Sequence, residues 1–278
     1  LRRPARVSLR CNPNVNPNTH PYISTGLLNN KFGIPMRDVP RLYRLAHEHP
    51  WLEPVGIDCH IGSQITTVGP YTESVDKLLD MVELLRSEGI RLTHLDIGGG
   101  LGIVYTARDR PPEPAKLVEE VRAHLSARNL TDLTLLAEPG RSIVGNAGVL
   151  LTRVEYIKTG PTKTFCIVDA AMTDLIRPAL YDAWMAIEPV TERAEAPRLM
   201  DVVGPVCEST DFLGKNRELA VHEGDFLAIL DAGAYGSSMA SNYNSRALPM
   251  EYLVDGEQVR MLRIPQSWQD FTRGEVAL

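Results

Sequence analysis

The sequence predicts a two-part α/β protein, a parallel-sheet half built from alternating strands and helices followed by a mainly antiparallel β domain. Three observations predict it. Up to residue 147, short apolar runs alternate with helical periodicities; beyond it, strand-like runs follow one another with little helix between them. The connections in the first half are long enough for crossovers, which parallel neighbours require. Each early run also ends in polar or small residues, as strands do where a parallel sheet carries its site at the carboxyl edge. The expected domains are therefore residues 1–147 and 148–278.

The expected strands of the first half are VSLRCNP (7–13), VGIDCHIGS (55–63), HLDIGGG (94–100) and LTLLAEPGRS (133–142). Between them, RDVPRLYRLAHEH spaces Val39, Leu42, Leu45 and Ala46 as a helix would, with Pro40 marking its start. YTESVDKLLDMVELLRSE places Val75, Leu78, Leu79, Val82 and Leu85 on one face and is the best amphipathic helix in the chain. KLVEEVRAHL is a third. In the second half GVLLTRVEYIKTG, KTFCIVDAA, RLMDVVGPVCES, DFLAILDAGAYG and EYLVDGEQVRMLRI read as strands. Asp255-Gly256 inside the last run is a hairpin signal.

Composition excludes several classes of function. The 278 residues are 44% hydrophobic and 23% charged, as in an ordinary globular protein. No apolar run reaches the roughly 20 residues of a membrane span. A net charge of −6 speaks against a general affinity for nucleic acid. Cys11, Cys59, Cys166 and Cys207 form no C-x-x-C pair, which favours reduced thiols in a cytoplasmic protein over a disulfide framework or a zinc site. The chain opens on Leu1 and enters a strand almost at once, so an N-terminal part of the natural protein is expected to be missing.

The chemistry-bearing residues gather at the strand ends. Gly98, Gly99 and Gly100 serve either a tight turn or a phosphate lying against bare backbone. EPGRS follows one strand later with Gly140 and the cation Arg141, and two neighbouring glycine-bearing ends favour the phosphate. There is no G-x-G-x-x-G fingerprint with an acidic residue at ribose distance, which speaks against a dinucleotide fold. His60 is either a satisfied core histidine or a flat ring on the rim, with Ser63 as a phosphate donor. Glu138 either caps a turn or binds a protonated ring nitrogen. A phosphate, a stacked ring and a carboxylate for the ring nitrogen together describe pyridoxal phosphate. In the second half, Arg177 and Tyr181 share a face if DLIRPALYDAW is helical, with a surface ion pair as the plain alternative. Cys207 is either a small core hydrophobe or a reactive thiol, followed by Glu208.

In this order, HPYISTGLLNNKFG, DCHIGSQ, LDIGGGLGI, EPGRSIV, DAAMTDLIRPALYDAW, GPVCESTDFL and AGAYGSSMASNYN resemble the diaminopimelate decarboxylases, of the alanine-racemase-like class of pyridoxal-phosphate proteins. HIGS, GGG and EPGR are shared with ornithine and arginine decarboxylases, whereas IRPALY and GPVCES point to the diaminopimelate group. The resemblance implies an (α/β)8 barrel, of which residues 1–147 are strands five to eight, followed by a β-barrel or sandwich domain. It implies that Gly99, Gly100, Glu138, Pro139, Gly140 and Arg141 hold the cofactor, that His60 stacks on its ring and that Ser63 reaches its phosphate. Arg141, Arg177 and Tyr181 would bind the distal carboxylate of the substrate and Glu208 its distal ammonium. Cys207 matches the proton donor, and Tyr235 a residue touching both cofactor and substrate. In this family Cys207 and Glu208 are lent across a homodimer, and the product is L-lysine.

One departure carries weight. The family's cofactor-attaching lysine lies in a segment resembling A-x-K-A-N, and these 278 residues contain none. Lys31, in NNKFG, matches a different lysine of the family, and Lys77, Lys116, Lys158, Lys163 and Lys215 stand in unrelated contexts. Taken literally, the chain is expected to be half a barrel with a β domain, inactive alone. Two other readings are a non-catalytic relative that binds or regulates a partner, and a decarboxylase of ornithine or arginine. Those substrates lack the distal carboxylate that Arg177 and Tyr181 would bind.

Overall fold

The computed structural model describes residues 3–17, 25–26 and 30–276, so the HPYIS segment of the resemblance lies outside the described residues. Two compact units divide between Ile143 and Val144, where the sequence placed the change between 147 and 148.

The first unit is a five-stranded parallel sheet in the order β2-β1-β3-β4-β5. Its strands are β1 (Ala5–Asn12), β2 (Ile34–Pro35), β3 (Leu52–Cys59), β4 (His94–Asp96) and β5 (Thr134–Leu136). The helices are α1 (Val39–Glu48), α2 (Gly69–Ser87) and α3 (Pro114–Ala127). Alternation along each strand sends Cys11, Ile57, Cys59 and Leu95 into a core shared with the helices. The expected face of α2 is buried in full: Val75, Leu78, Leu79, Val82 and Leu85 are all at most 1% exposed. Each such side chain contributes about 1.5–3 kcal/mol on leaving water. On α1 the buried residues are Val39, Tyr43 and Ala46, and the expected Leu45 is 52% exposed. Tyr43 takes its place because its hydroxyl donates to the Gly56 carbonyl at 2.6 Å, which pulls that side of the helix onto the sheet.

The second unit holds a six-stranded sheet, order β10-β9-β7-β6-β11-β8, and a separate β12–β13 hairpin. The strands are β6 (Leu150–Thr159), β7 (Thr164–Val168), β8 (Ile187–Pro189), β9 (Arg198–Val203), β10 (Phe212–Leu219), β11 (Phe226–Ile229), β12 (Glu251–Asp255) and β13 (Gln258–Arg263). All pairs are antiparallel except β7 with β9. The Asp255-Gly256 signal turns the hairpin as expected, with Gly256 at φ 58°. β8 and β10 were not anticipated. β10 slips register twice, and Asn216 within it sits at φ 52°, so its side chains do not keep the period of two that marks a strand. Two short helices, α4 (Arg141–Val144) and α5 (Arg177–Tyr181), carry expected site residues, and α6 (Trp268–Phe271) closes the described chain. Among the described residues no helix is long and apolar enough to cross a membrane.

Candidate active site

In the first unit the candidate residues converge at the carboxyl ends of β3, β4 and β5. The three glycines of this rim answer mainly to packing. A Cβ on Gly98 would lie 2.3 Å from the Cys59 carbonyl oxygen, one on Gly99 2.1 Å from that of Glu138, and one on Gly100 2.0 Å from that of Gly62. Gly98 and Gly100 also adopt φ 70° and 94°, which L side chains avoid. Three strand ends thus meet backbone to backbone, and only glycine allows it. Gly140 differs, since a Cβ there would meet nothing within 4 Å.

His60 is half-buried beside this junction. The Gly99 N–H donates to its Nδ1 at 3.1 Å, so that nitrogen is unprotonated and any proton on the neutral ring is at Nε2. Burial, and then the Arg10 charge, push the imidazole below its ordinary pKa, outweighing the pull of Asp96. The residue as a whole is intermediate in burial, and its Nδ1 is satisfied by Gly99. Ser63, further along the same strand end, accepts a hydrogen bond from Arg141 Nη2 at 2.9 Å. Arg141 opens α4 only 5% exposed, and its Nη1 donates to the Tyr105 hydroxyl at 2.5 Å. Glu138 N–H donates to the Gly98 carbonyl at 2.9 Å, which fixes EPGR against the triple glycine. The Glu138 side chain is largely exposed. What desolvation it has, then the Asp96 and Asp58 charges, push its carboxyl up, and Arg10 pulls it back. Pro139 and Gly140 form the turn between this carboxylate and Arg141.

Four residues of this rim escaped the sequence. Arg10, Asp58 and Asp96 sit on the sheet face opposite the helices; Ser8 Oγ donates to Asp58 at 2.6 Å, and Asp96 accepts from the Gly98 N–H at 2.8 Å. Their alternation with Leu9, Ile57 and Leu95 was the available signal. Tyr105, the partner of Arg141, lies in a loop shaped by Asp109, whose carboxylate takes the Tyr105 and Thr106 N–H groups at 3.0 and 2.7 Å.

The second unit places the remaining candidates on three segments. Arg177 and Tyr181 are the first and last residues of α5, one helical turn apart. Arg177 is only 6% exposed, and its Nη1 contacts Met185 Sδ at 3.7 Å. Cys207 and Glu208 stand exposed in the turn between β9 and β10, whereas Cys11, Cys59 and Cys166 are buried as small hydrophobes. Glu208 accepts a 2.5 Å hydrogen bond from the hydroxyl of Tyr243, a residue the sequence left unassigned. Tyr235 follows β11, 44% exposed and at φ 61°.

This rim, with a flat neutral histidine, an arginine-braced serine and a carboxylate, defines a class of protein. Residues 1–145 match the pyridoxal-binding domain of the pyridoxal-dependent decarboxylases, and residues 103–233 match their C-terminal sheet domain. The chain belongs to the pyridoxal-dependent decarboxylase family, in its diaminopimelate decarboxylase group. The diaminopimelate decarboxylase of Pseudomonas aeruginosa is 53% identical over 274 residues, covering 99% of this chain and 65% of that protein. That of Vibrio cholerae is 51% identical, covering 93% of this chain and 61% of its own length. The crystal structure of the Helicobacter pylori enzyme complexed with L-lysine superposes with a TM-score of 0.90 at 42% identity, over 98% of this chain and 67% of that one. The chain thus spans somewhat less than two thirds of the length of the first two relatives.

Proposed function

We propose that the protein decarboxylates meso-2,6-diaminopimelate to L-lysine and CO2 with pyridoxal phosphate. The observation that carries the choice of substrate is the buried Arg177 with Tyr181 one turn away. A guanidinium makes paired, charge-assisted hydrogen bonds to a carboxylate, and diaminopimelate brings one at the end remote from the reaction. Ornithine and arginine bring none. Glu208, held by Tyr243, supplies the opposite charge for the distal ammonium.

The rim of the first unit suits the cofactor. The neutral His60 offers a flat face with its bare nitrogen already engaged by Gly99. Ser63 and the open turn at Gly140 suit a phosphate, and Glu138 a ring nitrogen that must stay protonated. When bound, pyridoxal phosphate draws off the electrons of the bond broken beside the substrate amino group. Glu138 would hold the proton at the ring nitrogen that this requires. Arg141, fixed by Ser63 and Tyr105, orients phosphate side and distal carboxylate alike. The carboxyl group leaves as CO2, and the Cys207 thiol delivers the proton that takes its place on carbon.

The working unit is a homodimer in which Cys207 and Glu208 of the partner subunit complete each site. The protein works in the cytoplasm, where reduced thiols persist. Substituting Arg177 in the full-length enzyme tests the choice of substrate. Diaminopimelate turnover should fall while cofactor binding is kept, and unchanged kcat/KM would contradict it.

A further inference from the structure

Cys207 and Glu208 stand in an exposed turn, and an exposed turn does not hold a proton donor in place by itself. A buried carboxylate lies directly beneath it. Asp211 is 4% exposed and uses both of its oxygens on backbone. Oδ2 accepts the Val206 N–H at 2.7 Å, immediately before Cys207. Oδ1 accepts the Met172 N–H at 2.6 Å, in the turn that leads into α5. The backbone closes the same loop: Gly204 N–H donates to the Asp211 carbonyl at 3.1 Å, and Asp211 N–H to that of Glu208 at 3.0 Å. Gly204 leaves the room required, since a Cβ there would stand 2.4 Å from Asp211 Oδ2. No cation forms an ion pair with Asp211 among the described residues. Both of its carboxylate oxygens are engaged in orienting two peptide groups.

We infer that Asp211 is a positioning residue, whose two-oxygen bridge fixes the Cys207–Glu208 turn and ties it to the segment carrying Arg177 and Tyr181. The catalytic meaning of the bridge rests on the function proposed above; the bridge itself does not. Under that reading, the Cys207 turn of one chain serves the partner's site while its Arg177 serves its own. Asp211 then joins the machinery of the two sites within a single chain. The charge type matters. An asparagine of the same shape has one acceptor oxygen, so its NH2 group would face one of the two backbone N–H groups.

Two measurements that involve neither cofactor nor turnover test the bridge. In the unsubstituted protein the Val206 and Met172 amides should exchange with solvent at least about 100-fold more slowly than those of Cys207 and Ser209. Exchange as fast as the exposed turn overturns the bridge. In Asp211→Asn, alkylation of Cys207 by iodoacetamide, read by mass spectrometry, should accelerate about tenfold while Cys11, Cys59 and Cys166 stay protected. Asp201→Asn, which removes another buried carboxylate from the same sheet, should leave that rate unchanged. Equal acceleration in both variants, or none in Asp211→Asn, contradicts positioning. Should Asp211→Asn expose the buried cysteines, and so fail to fold, amide exchange in the parent decides. In the full-length enzyme Asp211→Asn should lower kcat about tenfold. A Cys207→Ala enzyme with unimpaired turnover would instead overturn the catalytic half of the inference and the proton-donor role together, leaving the alkylation result intact.

Discussion

His60 meets Gly99 through a nitrogen that must be free of its proton, and burial and Arg10 act in the same direction. The folded pKa therefore lies below the unfolded value near 6.5. Between the two, the unfolded chain binds more protons, so stability rises with pH through that window and is lost as pH falls through it. Nitrogen-15 NMR of the imidazoles should find His60 still mainly neutral, with its proton on Nε2, at pH 6.5, where an unperturbed imidazole is half-protonated. A His60 already half-protonated at its ordinary value would contradict this. Arg177 makes the second prediction at this scale. Losing a charge-assisted bond to a buried carboxylate costs roughly 1.5–3 kcal/mol, so Arg177→Ala should lower kcat/KM for diaminopimelate about 10- to 150-fold. Spectral titration of the cofactor should show its affinity nearly unchanged.

The strand ends of the first unit explain why glycine is read so easily and interpreted so poorly. Three consecutive glycines announce a special backbone, but a sequence cannot say whether a ligand or another strand lies against it. Here another strand does, at 2.1 Å from the Cβ that Gly99 lacks. Gly99→Ala should therefore destabilise the unit by about 1–3 kcal/mol or more, as overpacking does. Gly140→Ala, in open space, should stay within about 0.5 kcal/mol. Chemical denaturation of the two variants checks the contrast, and equal effects would contradict the packing explanation. The amphipathic face of α2 was legible because its burial follows one period along nineteen residues. β10 was not, because its bulges and left-handed Asn216 break the alternation. Tyr105 and Asp211 were also hidden, since each acts on residues distant in sequence through contacts that only the fold creates.

At the scale of the molecule, two kinds of sequence pattern set two halves of the chain apart, and motif order carried the family. The pairing of polar residues across strands, such as Arg10, Asp58 and Asp96, needed the register that only the sheet supplies. A site completed across a dimer predicts complementation. A full-length Cys207→Ala chain and one lacking the cofactor-attaching lysine should each be nearly inactive alone. After dissociation and reassociation in equal amounts, half the dimers are mixed and each has one intact site, so activity should return to about a quarter of wild type. No recovery in confirmed mixed dimers would place both groups in one subunit. The most direct test of the proposed function is the fate of the substrate itself. Full-length enzyme with pyridoxal phosphate should release one CO2 for each L-lysine formed from meso-diaminopimelate, and no CO2 from ornithine or arginine. Release from ornithine or arginine at a comparable rate, or none from diaminopimelate, would contradict it.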